Sequence, residues 1–148
     1  KEQHLGYLFV VMMTMLAFGA YIASRIQNQG IEKKIILNAQ ILTGIIMIAV
    51  ALFKDLPFII VLFVLHEVPR GFWGPLIDNY LQKRIPSSER ATISSLCSIA
   101  PHIGGAIGLG VSGVVAQYFG IHVSWMVSSV VLIVGAVLIS RNGQRHSE

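Results

Sequence analysis

Long apolar runs separated by short polar loops dominate the pattern of this chain. Each run holds about 20 residues or more, the length at which a helix crosses about 30 Å of hydrocarbon. No water is present inside a bilayer to satisfy backbone groups, so such runs must be helical. The sequence therefore predicts five transmembrane helices, at about Leu5–Ser24, Ile35–Phe53, Pro57–Leu81, Ala91–Tyr118 and Ile121–Ser140.

This pattern predicts an all-α, polytopic membrane helix bundle that occupies residues 1–148 as one unit. Composition agrees, since 12% of the residues are charged, against about 25% in a soluble domain. The single cysteine, Cys97, excludes an internal disulfide and a cysteine-based metal cluster. An odd number of helices and an opening residue other than Met favour a fragment of a longer bundle, without a signal peptide.

The distribution of lysine and arginine predicts the orientation of the helices. One side carries only Lys1 and Lys54, and the other carries eight basic residues: Arg25, Lys33, Lys34, Lys83, Arg84, Arg90, Arg141 and Arg145. Because basic loops stay cytoplasmic, we expect an outside N-terminus and a cytoplasmic C-terminus. The two short outer loops, near Asp55 and Gly120, make their flanking helices antiparallel neighbours. Because the basic residues are confined to short loops between apolar spans, nucleic acid is excluded as a partner.

Three ionisable side chains interrupt the third apolar run, at His66, Glu67 and Arg70. Charge at this depth costs about 3 kcal/mol per residue and usually faces a polar cavity or a partner helix, which favours a working site. Alternatively, Glu67 and Arg70 lie one turn apart and only satisfy each other. Trp73 shares a face with His66 and Arg70, and it either stacks on a cationic or aromatic substrate or simply packs.

The cytoplasmic end of this span carries Asp78 and Asn79. Both lie close in sequence to Arg84 and Arg90, at the two ends of the next loop. A carboxylate and an amide at the membrane surface, with arginines nearby, favour an interhelical latch over catalysis.

The fourth span combines a ridge of small residues with a histidine. Small side chains recur every four residues, which is typical of closely packed membrane helices; they are Ala100, Gly104, Gly108, Ser112 and Ala116. His102 lies near mid-depth on another face. Because histidine titrates near physiological pH, His102 either relays protons or donates one hydrogen bond to a neighbouring helix.

Two segments resemble the major facilitator superfamily of transporters, particularly its drug-efflux-type members. R-G-F-W-G-P, from Arg70 to Pro75, and N-Y-L-Q-K-R-I-P-S-S-E-R-A-T-I-S-S-L, from Asn79 to Leu96, resemble the tenth helix, the cytoplasmic loop and the start of the eleventh helix. A-Y-I-A-S-R, ending at Arg25, resembles the second-half copy of the family's cytoplasmic loop motif. Ala20 and Ser24 replace the glycine and the aspartate of that motif, so only Arg25 carries over to the latch.

The resemblance implies that the chain is the last five of twelve helices, with the N-terminal half of the same transporter as its partner. It implies alternating access around a midplane site, for a small solute, with proton coupling as in antiport or efflux, in the plasma membrane and without a cofactor. The tenth helix of the family borders the central cavity. His66, Glu67, Arg70 and Trp73 would then face substrate or a proton, with Glu67 as the proton carrier and His102 as a further candidate.

Two other classes of function remain to be weighed. A membrane scaffold or sensor could share the fold without transporting anything. An intramembrane enzyme is disfavoured, since His66 and Glu67 are followed by Val68, Pro69 and Arg70, not by the spacing of H-E-x-x-H, and no metal-ligand pairing stands elsewhere. The identity of the solute lies beyond the sequence.

Overall fold

All secondary structure in the computed structural model, which describes residues 2–26 and 31–144, is helical. This confirms the predicted all-α class. The helices are α1 (Glu2–Ser24), α2 (Glu32–Leu52), α3 (Leu56–Leu65), α4 (Glu67–Arg70), α5 (Trp73–Gln82), α6 (Arg90–Phe119) and α7 (Ile121–Gln144). Five stretches are long and apolar enough to span a membrane: Leu5–Ser24, Glu32–Leu52, Leu56–Gln82, Arg90–Phe119 and Ile121–Arg141.

The third span is divided into α3, α4 and α5, although its backbone stays right-handed throughout. Gly71 has φ −64° and ψ −17°, and its N–H donates to the carbonyls of both Glu67 and Val68, at 2.9 and 3.2 Å. Pro69 and Pro75 have no N–H, so each removes one bond of the α-helical ladder. Around Gly71, hydrogen bonds between residues three apart therefore replace part of the regular α-helical pattern. This irregular segment lies next to the ionisable residues.

Helices approach each other closely at glycines in two places, which we call glycine crossings. A Cβ added at Gly71 would lie 2.2 Å from the carbonyl oxygen of Leu16, and one at Gly19 would lie 2.0 Å from that of Val68. α1 thus crosses α4 at a distance that excludes any side chain. α2 crosses α7 at Gly44, where a Cβ would meet the Ile133 side chain at 2.5 Å.

A cluster of buried hydrophobic residues lies where α1, α2 and α5 meet, and consists of Ala23, Ile36 and Leu76. α6 contributes no buried residue and packs against α7. The helices beside the two short loops near Asp55 and Gly120 are in contact, as predicted. Gly120 turns the chain between α6 and α7 with a φ of 89°, which favours glycine.

Small side chains of the α6 ridge differ in their surroundings. The hydroxyl of Ser124 donates to the Ser112 carbonyl at 2.8 Å, and the Ser112 and Ser128 hydroxyls lie 3.1 Å apart. Gly104 and Gly108 have no heavy atom within 4 Å of an added Cβ, and Ala100 is exposed. Within the part of the chain that the structure describes, the ridge is therefore hydrogen-bonded to α7 at Ser112 and open at Gly104.

Candidate substrate and proton site

The carboxylate of Glu67 is the centre of the site. Its side chain is 1% exposed, and Nη1 of Arg70 donates to Oε1 and to Oε2, each at 2.8 Å. One turn of α4 produces this geometry, because residues three apart share a helix face. The Arg70 side chain is 55% exposed, so a buried anion is held by a cation that reaches the surface.

His66 adds a second titratable group beside that carboxylate. Its Nδ1 contacts the Phe63 carbonyl, and since a carbonyl only accepts, Nδ1 carries the hydrogen. Nε2 lies 3.7 Å from Oε1 of Glu67, too far for a hydrogen bond.

The helices packed around α4 bring no further charge near Glu67. α4 contacts α1, α2 and α3, and no Asp, Glu, Lys, Arg or His stands at positions 5–24 or 35–52. Positions 56–65 of α3 are also free of charged residues. Among the residues that the structure describes, Arg70 and His66 are therefore the ionisable groups beside Glu67.

Two adjoining cavities form a groove along α2, α5 and α7. The first has a volume of about 250 Å³ and the second about 300 Å³, and they share Ile36, Gln40 and Trp73. Arg70 lines the first cavity, whereas Lys33 and Tyr80 line the second. Of the predicted cavity residues, Arg70 and Trp73 thus face the groove directly. His66 and Glu67 are buried beside Arg70.

Gln40 and Thr43 line the first cavity but were not predicted as site residues. Both interrupt the apolar second span at a spacing of three, which was a usable signal. The Thr43 hydroxyl donates to the Ala39 carbonyl of its own helix at 2.8 Å. The amide of Gln40 is consequently the stronger candidate for contact with a solute.

His102 is not brought to this site. It lies exposed on α6, and its Nδ1 donates to the Ser98 carbonyl of the same helix at 2.6 Å. That bond lies within α6 and is therefore neither the proton relay nor the bond to a neighbouring helix, and both roles of His102 remain predictions.

The three arginines of the predicted latch each contact a residue four or eight positions earlier in the chain. Arg25 donates to the Tyr21 hydroxyl at 2.8 Å, the Arg84 guanidinium lies 3.9 Å from the centre of the Tyr80 ring, and Arg90 donates to a backbone carbonyl at 3.4 Å. Asp78 and Asn79 line a surface cavity of about 460 Å³.

Glu32 and Lys83 form an ion pair that the sequence analysis missed. Nζ of Lys83 lies 2.8 Å from Oε1 of Glu32, whose side chain is 1% exposed. In the ranges 2–26 and 31–144, this is the salt bridge that joins two of the long helical spans. Fifty-one positions separate the two residues, so no local pattern connects them.

The five apolar spans and the buried ion pair beside a groove show the class of the protein. It is a multi-pass membrane protein with a polar site inside the bundle. Residues 2–146 match the family model of the Major Facilitator Superfamily. The chain therefore belongs to that superfamily of transporters, and the resemblance is confirmed at the level of the family. No curated protein and no solved structure matches the chain.

Proposed function

We propose that this chain is most of the C-terminal half of a proton-coupled secondary transporter that moves a small solute by alternating access. The observation that carries the proposal is the Glu67–Arg70 pair, in which a 1% exposed carboxylate is bound to an arginine that lines the groove. The N-terminal half of the same protein, with the bilayer around it, would supply the facing wall of the cavity.

Arg70 links the proton to the solute in this proposal. An ionised Glu67 holds Nη1 through two charge-assisted bonds, which are stronger than bonds to a neutral carboxyl group. Protonation of Glu67 weakens this hold and leaves Arg70 available to the groove. His66, 3.7 Å away, is placed to pass the proton on.

The moving parts follow from the same geometry. The glycine crossing of α1 on α4 allows one backbone to slide along the other, and the broken third span carries the site residues. At the cytoplasmic end, the Glu32–Lys83 pair, together with the predicted latch of Arg25, Asp78, Asn79, Arg84 and Arg90, would close the cavity on that side.

Proton-driven uptake by proteoliposomes tests the proposal. Vesicles that hold the full-length protein are incubated with a cell metabolite extract, with an inward proton gradient or with the gradient collapsed by a protonophore, and the contents are identified by mass spectrometry. We expect at least one solute to accumulate only with the gradient. Glu67→Gln should reduce that accumulation at least about tenfold while solute exchange without a gradient persists.

Glu89→Gln is the matched control, because it removes the same charge from an exposed position and should leave accumulation unchanged. Gradient-driven accumulation by Glu67→Gln would contradict the role of Glu67. If correctly folded protein accumulates nothing, transport itself is contradicted, and the scaffold or sensor is favoured.

A further inference from the structure

We infer that the solute of the groove is an organic anion, an acid with an apolar or aromatic body, whose carboxylate is bound by Arg70. The inference rests on the proposed function of the same site and names its substrate class. Three features support the inference: the unused N–H donors of Arg70, the sign of the charges that line the groove, and the apolar walls of the groove.

Arg70 has donors to spare. A guanidinium carries five N–H groups in a planar fork, and the bonds to Glu67 involve Nη1 alone. The rest of the side chain is accessible, since 55% of its surface is exposed and it lines the first cavity. A carboxylate can therefore bind the remaining N–H groups without first displacing Glu67.

The charges along the groove are positive. Among the residues that the structure describes, its lining includes two cations, Arg70 in the first cavity and Lys33 in the second, and no Asp or Glu in either. Glu67 does not line these cavities, and its charge is neutralised by Arg70. A cationic solute would meet the N–H donors of Arg70 and the like charge of Lys33, whereas an anion would meet hydrogen-bond donors at Arg70 and an opposite charge at Lys33.

The walls between these cations are apolar, which favours an organic anion over an inorganic one. Trp73 is 40% exposed and borders both cavities, so an aromatic body could stack on its ring. Aliphatic side chains form most of the remaining lining, and the amide of Gln40 adds one polar group. An apolar body would remove this surface from water, as a small inorganic ion could not.

Binding of a carboxylate at Arg70 also predicts the sign of the coupling. A paired Glu67 and Arg70 are neutral together, and a bound carboxylate would leave the site with a net negative charge at bilayer depth, which is costly. A proton on Glu67 restores neutrality, so proton and anion favour each other's binding and travel in the same direction. This differs from the antiport that resemblance to efflux-type members implies.

Binding of three probes that share one ring system tests the inference. Naphthoate, naphthamide and naphthylmethylammonium are titrated by calorimetry into full-length protein in detergent. We expect naphthoate to bind at least about tenfold more tightly than the amide, the usual advantage of a charged hydrogen bond. Arg70→Gln should abolish this preference, and Lys54→Gln, which removes a positive charge from an exposed loop, should leave it intact.

Arg70→Gln could misfold because it leaves Glu67 buried without its cation, so the double variant Glu67→Gln with Arg70→Gln provides a second test. It removes both charges and should also lose the preference. Glu67→Gln alone should strengthen naphthoate binding several-fold, since Arg70 is then no longer neutralised. Glu67→Gln keeps the side-chain volume nearly constant.

Two results would overturn the inference: equal or tighter binding of the amide or the ammonium probe, or a preference for naphthoate that survives the double substitution. Either would leave the proposed function standing if accumulation still depends on the proton gradient and on Glu67. Conversely, naphthoate binding as expected without any gradient-driven accumulation would contradict the transport proposal and leave the anion site in place.

Discussion

The crossing of α1 and α4 and the small-residue ridge of α6 both carry glycines, which allow close contact between helices. The surroundings of these glycines are opposite. At the crossing of α1 and α4, an added Cβ at Gly71 would lie 2.2 Å from a backbone oxygen. Along α6, Gly104 and Gly108 have only open space around them. The stronger pattern in the sequence, a small residue at every fourth position, belongs to the helix that is packed less.

The contrast shows that small residues permit a close contact without specifying its partner. Gly44, at the crossing of α2 and α7, has Gln40 and Ile48 four positions to either side, so no small-residue repeat marks it. Membrane helices have little hydrophobic drive to associate, and packing depends on the shape of the opposing surface. That surface belongs to another part of the chain.

Gly71→Ala should produce the largest effect on stability. Its methyl group would overlap the Leu16 carbonyl oxygen and lie 2.9 Å from the Ala20 nitrogen, and backbone atoms cannot move aside without separating the helices. We expect a loss of about 3 kcal/mol or more in the free energy of unfolding, the upper end for overpacking, measured by detergent titration.

Gly74→Ala is the control for this change, since it adds the same methyl group to the same span in open space. A loss at Gly71 no larger than the change at Gly74 would show that α1 and α4 do not cross at backbone distance.

Gly44→Ala should have an intermediate effect. Its methyl group would meet the Ile133 side chain at 2.5 Å and the Ser129 carbonyl oxygen at 3.2 Å. A side chain can change rotamer where backbone cannot, so we expect a loss of about 1–2 kcal/mol. Combining Gly44→Ala with Ile133→Val should recover part of it in the same titration, and a double variant less stable than Gly44→Ala would contradict this account.

Gly104→Ala should have the smallest effect, within about 0.5 kcal/mol of the unsubstituted protein, as for substitutions that touch nothing. The sequence predicts that this ridge packs, and the described helices leave Gly104 open. If full-length protein loses as much stability with Gly104→Ala as with Gly71→Ala, a helix outside α1–α7 crosses the ridge at backbone distance.

Much of the candidate site could be predicted from local sequence. Glu67 and Arg70 stand three residues apart on one helix, and their pairing follows from helix geometry. Gln40 and Lys33 could not be joined to them, because α2 and α4 are brought together by packing, not by spacing. Glu32 and Lys83 show the same limit, since their bond at 2.8 Å connects helices whose relative position no local pattern encodes.

The amino-acid sequence by itself determined the helical class, the five spans and the presence of charge at bilayer depth. These are properties of single segments, governed by hydropathy and by the need to satisfy the backbone within each helix. Only the tertiary structure decided which glycines lie where two helices cross. It also decided that Glu67 is buried while Arg70 lines a groove, and that His102 lies apart from both. Each of these depends on the surface opposite a helix, and that surface is supplied by residues distant in the chain.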